Sequence, residues 1–336
     1  MSRVLQLAKS RSGRAPVKFM GVVLLILAAS LGRPARAGEG AGSLKQFKIE
    51  AGGYTRAYRV YSPQNLEKTK KYPLLVILHG GGGTGKGMPR LTRGGFEALA
   101  DANGAILAYP DGLDKNWNDY RADKSRKAQR ENIDDVAFIT AMLDAIAGTY
   151  PVDAGRVYAA GISNGAMMSY TLACRAAERF AAIAPVAGAM PENLAPACSP
   201  SRPVPALIIS GTEDRLVHWE GGYVTGPFGR KKLGRTIPVE KSRDFWLEKN
   251  SCDAARKEIS KTDSDPGDGM AVEREVYSAC AGGSAVEFIK IAGGGHTWPG
   301  GLQYLPERII GKTSREINAT AEIWNFFMKH SLPPRP

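Results

Sequence analysis

The sequence predicts an α/β fold, with one doubly wound and mostly parallel sheet flanked by helices. Short apolar runs recur along the chain, and helix-like stretches lie between them. The runs are continuous rather than alternating, which is typical of strands covered on both faces. Strand and helix signals that alternate in this way favour a single α/β domain. The composition, 43% hydrophobic and 23% charged, is that of a globular protein and excludes a coiled coil or a collagen-like fibre.

The individual elements follow from these runs. Predicted strands are Leu44 to Ile49, Arg56 to Tyr61, the run from Pro73, Ala105 to Pro110, Arg156 to Ser163, Ala181 to Gly188, Pro205 to Thr212 and Val286 to Gly294. Predicted helices are Ile133 to Tyr150, Gly165 to Ala177, Pro238 to Lys249 and Ile317 to His330. The polar stretch 257–276 contains Pro and Gly at its centre, and this pattern favours a hairpin with its turn at 266–269.

The first 37 residues have the pattern of a secretory signal peptide. A basic segment precedes the apolar run 19–32, and a small-x-small cleavage site follows at 35–37. The run is too short for a transmembrane helix, so we expect no stable membrane anchor. Seven basic groups and no acid lie in 1–37, and removing them lowers the net charge from +12 to +5. We therefore expect a secreted catalytic domain over 38–336 and no nucleic-acid partner.

Four cysteines lie in the predicted mature chain: Cys174, Cys198, Cys252 and Cys280. An even number in an oxidising compartment predicts two disulfides, and none of the spacings is that of a metal site. Three connectivities are possible. We favour the local pairs Cys174–Cys198 and Cys252–Cys280, because each would close a loop beside a motif described below. A free buried thiol is the alternative.

A candidate nucleophile lies in the G-x-S-x-G motif at 161–165. The motif directly follows a predicted strand and directly precedes a predicted helix. A serine at such a sharp turn is held in a strained backbone that exposes its hydroxyl, and the flanking glycines make room for the turn. This context predicts that Ser163 is a nucleophile rather than a serine in an ordinary tight turn.

A serine nucleophile needs a base and an acid. His296 lies in a glycine-rich loop after a predicted strand, where α/β sheets place catalytic groups, and His218 is the alternative base. Asp214 follows another predicted strand, with Glu213 and Glu220 as alternative acids. The chain order Ser163, Asp214, His296 is the nucleophile, acid, base order of serine hydrolases with this type of sheet.

The developing oxyanion needs preorganised donors. The His-Gly-Gly-Gly-Gly run at 79–83 is typical of a loop whose backbone amides approach the substrate oxygen closely. We expect the amides of Gly81 and Asn164 to form the oxyanion hole. Phosphate binding is the competing interpretation of a glycine run, but the Gly-Lys-Ser/Thr of a phosphate loop does not follow.

Two tryptophans are candidate substrate contacts. Trp117 lies in a polar loop after a strand, and Trp298 is two residues from His296. An indole on such a loop could stack on an aromatic, sugar or polyester group, and packing in the core is the alternative.

With these motifs in place, the sequence resembles the secreted esterases that include polyhydroxybutyrate depolymerases and feruloyl esterases. The resemblance is carried by LHGGGG, YPDG, DDVAFI, YAAGISNGAMMSYTLAC, FAAIAPVAG, SGTED and GGGHTWPGG, between about residues 45 and 330. It implies an α/β-hydrolase fold, a triad of Ser163, Asp214 and His296, and no metal, and it supports the local cysteine pairs.

The sequence thus predicts a secreted serine carboxylesterase that needs no cofactor. Its predicted substrate is a hydroxyalkanoate polyester or oligomer, or else a feruloyl or acetyl ester on plant polysaccharide. An acyltransferase on the same scaffold is a further alternative, because an acyl-enzyme can pass its acyl group to a sugar hydroxyl. A polymer-binding module without activity is the third, since fold does not imply function.

Overall fold

A ten-stranded sheet runs through the part of the chain described by a computed structural model, residues 42–333 except 68, 228 and 230. The strands are β1 Ser43–Ala51, β2 Tyr54–Ser62, β3 Tyr72–Leu78, β4 Ile106–Pro110, β5 Val152–Ile162, β6 Ala182–Val186, β7 Ala206–Gly211, β8 Gly222–Thr225, β9 Lys232–Thr236, β10 Lys257–Thr262, β11 Ala271–Tyr277 and β12 Val286–Ala292. The helices are α1 Met88–Leu91, α2 Gly95–Asn103, α3 Lys127–Arg130, α4 Asp135–Thr149, α5 Asn164–Arg175, α6 Val239–Lys249, α7 Glu307–Ile310 and α8 Ala319–Phe327.

The centre of the large sheet is parallel and its edges are antiparallel. Its strand order is β1-β2-β4-β3-β5-β6-β7-β12-β11-β10, and the six strands from β4 to β12 run parallel. The pairs β1–β2 and β10–β11 add antiparallel edges. The prediction of a doubly wound, mostly parallel sheet is confirmed. The hairpin predicted over 257–276 is also present, as β10 and β11.

The central strands are buried on both faces, as their continuous apolar runs predict. In β3, Leu74, Val76 and Leu78 contact the core on the side of α4, α5 and α6. The alternate residues Leu75 and Ile77 contact the core on the side of α2 and α8. A strand with apolar side chains on both faces needs helices on both sides, which explains the layered arrangement.

The sequence signals identified most elements but missed the smaller ones. All four predicted helices are present with ends shifted by a few residues. The sequence did not indicate α2 or the separate two-stranded sheet of β8 and β9, which pair as an antiparallel hairpin. That hairpin borders a cavity through its residues Val224 and Leu233.

Both predicted disulfides are confirmed. Cys174 on α5 is bonded to Cys198, and Cys252 after α6 is bonded to Cys280. The first ties the helix that follows the G-x-S-x-G motif to the loop after β6.

Within residues 42–333, no helix is both long and apolar enough to cross a membrane. The predicted signal peptide, 1–37, lies outside the described residues.

Candidate active site

Ser163 occupies the sharp turn between β5 and α5. Its backbone has φ 59° and ψ −120°, a strained conformation for a residue with a Cβ atom. The Ser163 amide donates to the carbonyl of Val186 on β6, 3.0 Å away, which fixes the turn to the neighbouring strand. The helix that begins at Asn164 directs its N-terminal amides toward the same place, a position that favours negative charge.

The two glycines of the motif are required by close packing. A Cβ atom at Gly161 would lie 2.5 Å from the carbonyl group of Gly165. A Cβ atom at Gly165 would lie 2.6 Å from the carbonyl oxygen of His79, at the end of β3. Real Cβ contacts are never so short, so only glycine lets the strand, the turn and the helix approach each other at the observed distance.

His296 and Asp214 lie in contact at the ends of β12 and β7. Nδ1 of His296 is 2.7 Å from Oδ2 of Asp214, and both side chains are buried. The other carboxylate oxygen, Oδ1, accepts hydrogen bonds from the amides of Leu216 and Val217, each at 2.8 Å. The acid is therefore fixed in orientation, and it favours the His296 tautomer that carries its proton on Nδ1.

The alternative acids and base do not reach this arrangement. Glu213, Glu220 and His218 are all exposed. Glu213 and Glu220 are not hydrogen-bonded to a histidine in the described structure.

Ser163 and His296 line one cavity of about 410 Å³. Glycines of the 80–83 loop form one side of it. The hairpin β8–β9 contributes Val224 and Leu233 to the opposite side. Most of the remaining wall is apolar: Met88, Leu91, Ile162, Leu216, Pro227 and Leu305. A cavity with an apolar wall and a few convergent polar groups is typical of a small-molecule site.

The glycine loop places Gly81 beside Asn164. A Cβ atom at Gly81 would lie 3.7 Å from Cβ of Asn164, so the two residues are neighbours. Neither of their backbone amides donates a hydrogen bond to another described residue. Two such amides next to a nucleophile are available to a substrate oxygen.

His79 shapes this loop and stays neutral. Its Nδ1 is 2.8 Å from the carbonyl oxygen of Gly80, which accepts, and its Nε2 accepts from the amide of Gly112 at 2.9 Å. Burial lowers the pKa of His79 below its ordinary value. One nitrogen donating and the other accepting defines a neutral imidazole, so the role of His79 is structural.

Trp117 and Trp298 are both fully buried, and neither lines the cavity. The Trp117 indole donates to the carbonyl oxygen of His79 at 2.9 Å, and the Trp298 indole donates to the hydroxyl of Thr320 at 3.0 Å. The expectation of exposed substrate contacts is therefore wrong. Both rings found internal acceptors for their N–H groups, which is what allows an indole to be buried.

Sequence reasoning missed two arginines that line the cavity, Arg121 and Arg126. They lie in the polar segment between β4 and α4. A charged run in a loop ordinarily indicates a solvated surface. In the folded chain, however, these two side chains line the cavity. The side chain of Asn164 holds this segment against α5: its Oδ1 accepts from the backbone amide of Trp117 and its Nδ2 donates to the Trp117 carbonyl oxygen.

Comparison with known proteins shows which family the chain belongs to. A family model described as Esterase PHB depolymerase matches residues 56–200. A protein of Nocardia uniformis subsp. tsuyamanensis named "Putative esterase NocK" is 33% identical over 288 residues, covering 84% of this chain and 81% of that protein. The chain belongs to the Esterase PHB depolymerase family. It is a carboxylic ester hydrolase.

Other relatives of this esterase are named feruloyl esterases. "Feruloyl esterase B" of Piromyces equi is 30% identical over 243 residues, which are 70% of this chain and 41% of that protein. "Feruloyl esterase D" of Neurospora crassa is 26% identical over 256 residues, which are 73% of this chain and 74% of that protein.

A solved structure supports the fold. An acetyl xylan esterase from Aspergillus awamori superposes with a TM-score of 0.55 at 18% identity, covering 85% of this chain and 99% of that one. At this identity the likeness concerns the fold alone. This chain has the α/β-hydrolase fold.

Proposed function

We propose that the esterase cleaves carboxylic esters through an acyl-enzyme on Ser163, with Asp214 and His296 completing the triad. The observation that carries this proposal is the contact of His296 with Asp214 on the wall of the cavity that Ser163 also lines. The strained turn at Ser163 supports the same role, because it lifts the hydroxyl clear of the sheet.

The reaction proceeds in two displacements. The Ser163 oxygen attacks the ester carbonyl carbon while Nε2 of His296 takes its proton, and the amides of Gly81 and Asn164 stabilise the oxyanion. The carbon–oxygen bond to the alcohol then breaks, and His296 returns the proton to the leaving oxygen. Water, activated by the same histidine, attacks the acyl-enzyme and releases the acid and Ser163.

The proposed substrate is a hydroxyalkanoate polyester or its oligomers. The family match supports it. A feruloyl or acetyl ester on plant polysaccharide is the second candidate, and the relatives named feruloyl esterase favour it. A hydrolysis panel separates the two: a linear 3-hydroxybutyrate trimer, methyl ferulate and acetylated xylan, with kcat/KM measured for each and an added alcohol acceptor to reveal acyl transfer.

The mechanism is tested by Ser163→Ala, with the exposed Ser278→Ala as the matched control. We expect the first to lose turnover of nitrophenyl butyrate by about 10⁴-fold or more and the second to keep it. A phosphonate reagent directed at active serines should label the Ser278 variant and not the Ser163 variant. Turnover near the wild-type rate in Ser163→Ala would refute the triad.

We further propose that 38–336 acts as one catalytic domain in an oxidising compartment outside the cytoplasm. The two disulfides support this location, because such bonds persist where thiols are not kept reduced. N-terminal sequencing of protein collected from outside the cytoplasm should begin near Gly38, and an intact Met1 start there would contradict cleavage.

A further inference from the structure

Two cationic side chains line the cavity beside Ser163. Arg121 and Arg126 line it, and no Asp or Glu occurs among the described lining residues. A neutral ester carries no charge that guanidinium groups next to an apolar wall would bind. Charged groups near a site of low polarity are costly to desolvate unless they have a partner or a ligand.

Arg121 is held rigidly by a buried carboxylate. Its side chain is only 5% exposed, and its Nε lies 2.7 Å from Oδ2 of Asp119. Asp119 also accepts hydrogen bonds from Nδ2 of Asn164 at 2.5 Å and from Nε2 of Gln129 at 2.9 Å. In each of these contacts the partner donates and Asp119 accepts, as expected for an ionised carboxylate. Burial raises the pKa of Asp119, while Arg121 and Asn164 oppose that shift.

Among the described residues, none accepts a hydrogen bond from the terminal nitrogens of Arg121. Only its Nε and its backbone amide bond to Asp119, and no other described residue accepts from the guanidinium. Although the residue is buried, its side chain lines the cavity. By contrast, the buried Arg56 directs Nη2 to Asp135 at 2.6 Å and to the carbonyl oxygen of Asp111. The Arg121 fork thus opens onto the cavity.

Arg126 completes the cationic side of the cavity. Its Nε lies 3.5 Å from Oδ2 of Asp123, its side chain is 33% exposed, and its terminal nitrogens have no acceptor in the described structure. Gly234 of β9 packs directly on the backbone of Arg121, where a Cβ atom would lie 2.6 Å from the Arg121 Cβ. The β8–β9 hairpin therefore packs against this segment at Arg121.

We propose that Arg121 and Arg126 bind a carboxylate of the substrate. The esterase then prefers esters whose non-reacting end is a free acid, such as short linear hydroxyalkanoate oligomers, over neutral esters of the same length. A guanidinium fork with fixed orientation matches the two oxygens of a carboxylate, and such charge-assisted bonds are strong where water is partly excluded. The apolar wall would contact the alkyl part of the chain. This inference rests on the proposed function of Ser163.

The experiment compares two substrates that differ only in charge: the linear 3-hydroxybutyrate trimer as its free acid and the same trimer as its terminal primary amide. We expect wild-type kcat/KM to favour the acid by about tenfold or more, as expected for hydrogen bonds to a charged group. In Arg126→Gln and in Arg121→Lys this acid-to-amide ratio should fall severalfold, chiefly through KM. The matched control is Arg130→Gln, whose side chain is 51% exposed and does not line the cavity, and its ratio should stay at the wild-type value.

Two outcomes would overturn the inference. One is equal kcat/KM for acid and amide in the wild type, and the other is an unchanged ratio in both arginine variants. Circular dichroism identifies a variant that fails to fold, and Arg126→Gln, at the less buried position, keeps the test available if Arg121→Lys does not fold. Failure of the proposed function gives a different result. Either Ser163→Ala would cleave both substrates as well as the wild type does, or the wild type would cleave neither substrate.

Discussion

Nδ1 of His296 lies 2.7 Å from Oδ2 of Asp214, although 82 residues separate them in the chain. The contact exists because β7 and β12 are parallel neighbours in the sheet, so the loops that leave their carboxyl ends meet. The amides of Leu216 and Val217 hold the other carboxylate oxygen. The acid can therefore present only one atom to the imidazole.

That arrangement predicts the effect of Asp214→Asn. The two amides will hold the new carbonyl oxygen, which turns the NH₂ group toward His296 and forces the tautomer with its proton on Nε2. This tautomer cannot accept the Ser163 proton, so kcat for nitrophenyl butyrate should fall by about 10³–10⁴-fold. The thermal unfolding midpoint should change little. The exposed neighbour Glu213→Gln is the control, and a kcat for Asp214→Asn within threefold of that control would contradict the assigned role.

The sequence was informative about this site because its signals are local. Gly161 and Gly165 flank the serine within five residues, and the loops of Asp214 and His296 each follow a strand that is visible as an apolar run. The burial of Trp117 was not predictable in this way. Its backbone amide donates to the side chain of Asn164, 47 residues later, and its indole to His79. A polar loop gives no sign of such distant partners and indicates an exposed ring instead.

The smaller elements were missed for a related reason. In α2 only Phe96 and Ala100 are buried, so the apolar stripe is too short to stand out. In the β8–β9 hairpin Val224 and Leu233 are buried against the core and the cavity, which lie far from them in the sequence. The hairpin also packs against Arg121, which lines the same cavity. Residue type indicates only whether a side chain tends to be buried. The burial of these residues depends on which distant segments of the chain pack against them.

The backbone conformation of Ser163 predicts that this residue lowers the stability of the fold while it serves activity. At φ 59° and ψ −120° a side chain is strained, whereas glycine is not. Ser163→Gly should therefore be more stable than Ser163→Ala by about 1 kcal/mol, with both inactive. Urea unfolding of the two variants measures the difference, and the alanine variant is the matched control because it keeps Cβ and loses only the hydroxyl. Equal stability would show that the turn stores no strain.

Two glycines in different surroundings should respond in opposite ways to alanine. At Gly165 a Cβ atom would meet backbone oxygen atoms of β3, so Gly165→Ala should destabilise by about 1–3 kcal/mol and reduce kcat by moving the turn. At Gly148, exposed on α4, a Cβ atom would have nothing within 4 Å. Gly148→Ala should raise the free energy of unfolding by about 0.5 kcal/mol. Thermal and urea unfolding together with kcat check both, and a neutral Gly165→Ala would contradict the close packing.

His330 makes the esterase sensitive to acid. Its ring packs against Phe326, and burial lowers its pKa to about 4, with Lys329 and Arg202 acting in the same direction and Glu287 opposing them. An unfolded histidine titrates near 6.5, so between pH 6.5 and 4 the unfolded chain binds more protons than the folded one. Stability is therefore fully present above about pH 6.5 and is lost as the pH falls toward 4.

Replacing the ring with a side chain that does not titrate should remove this part of the acid sensitivity. From pH 7 to pH 4, we expect His330→Gln to lose less free energy of unfolding than the wild type, by on the order of 1–2 kcal/mol, because partial exposure screens some of the full shift. The exposed His218→Gln is the control and should follow the wild type. His79 remains in both variants with its pKa lowered by burial, so some acid sensitivity will persist. If urea unfolding of His330→Gln changes with pH as steeply as the wild type does, the His330 ring is not the group that titrates.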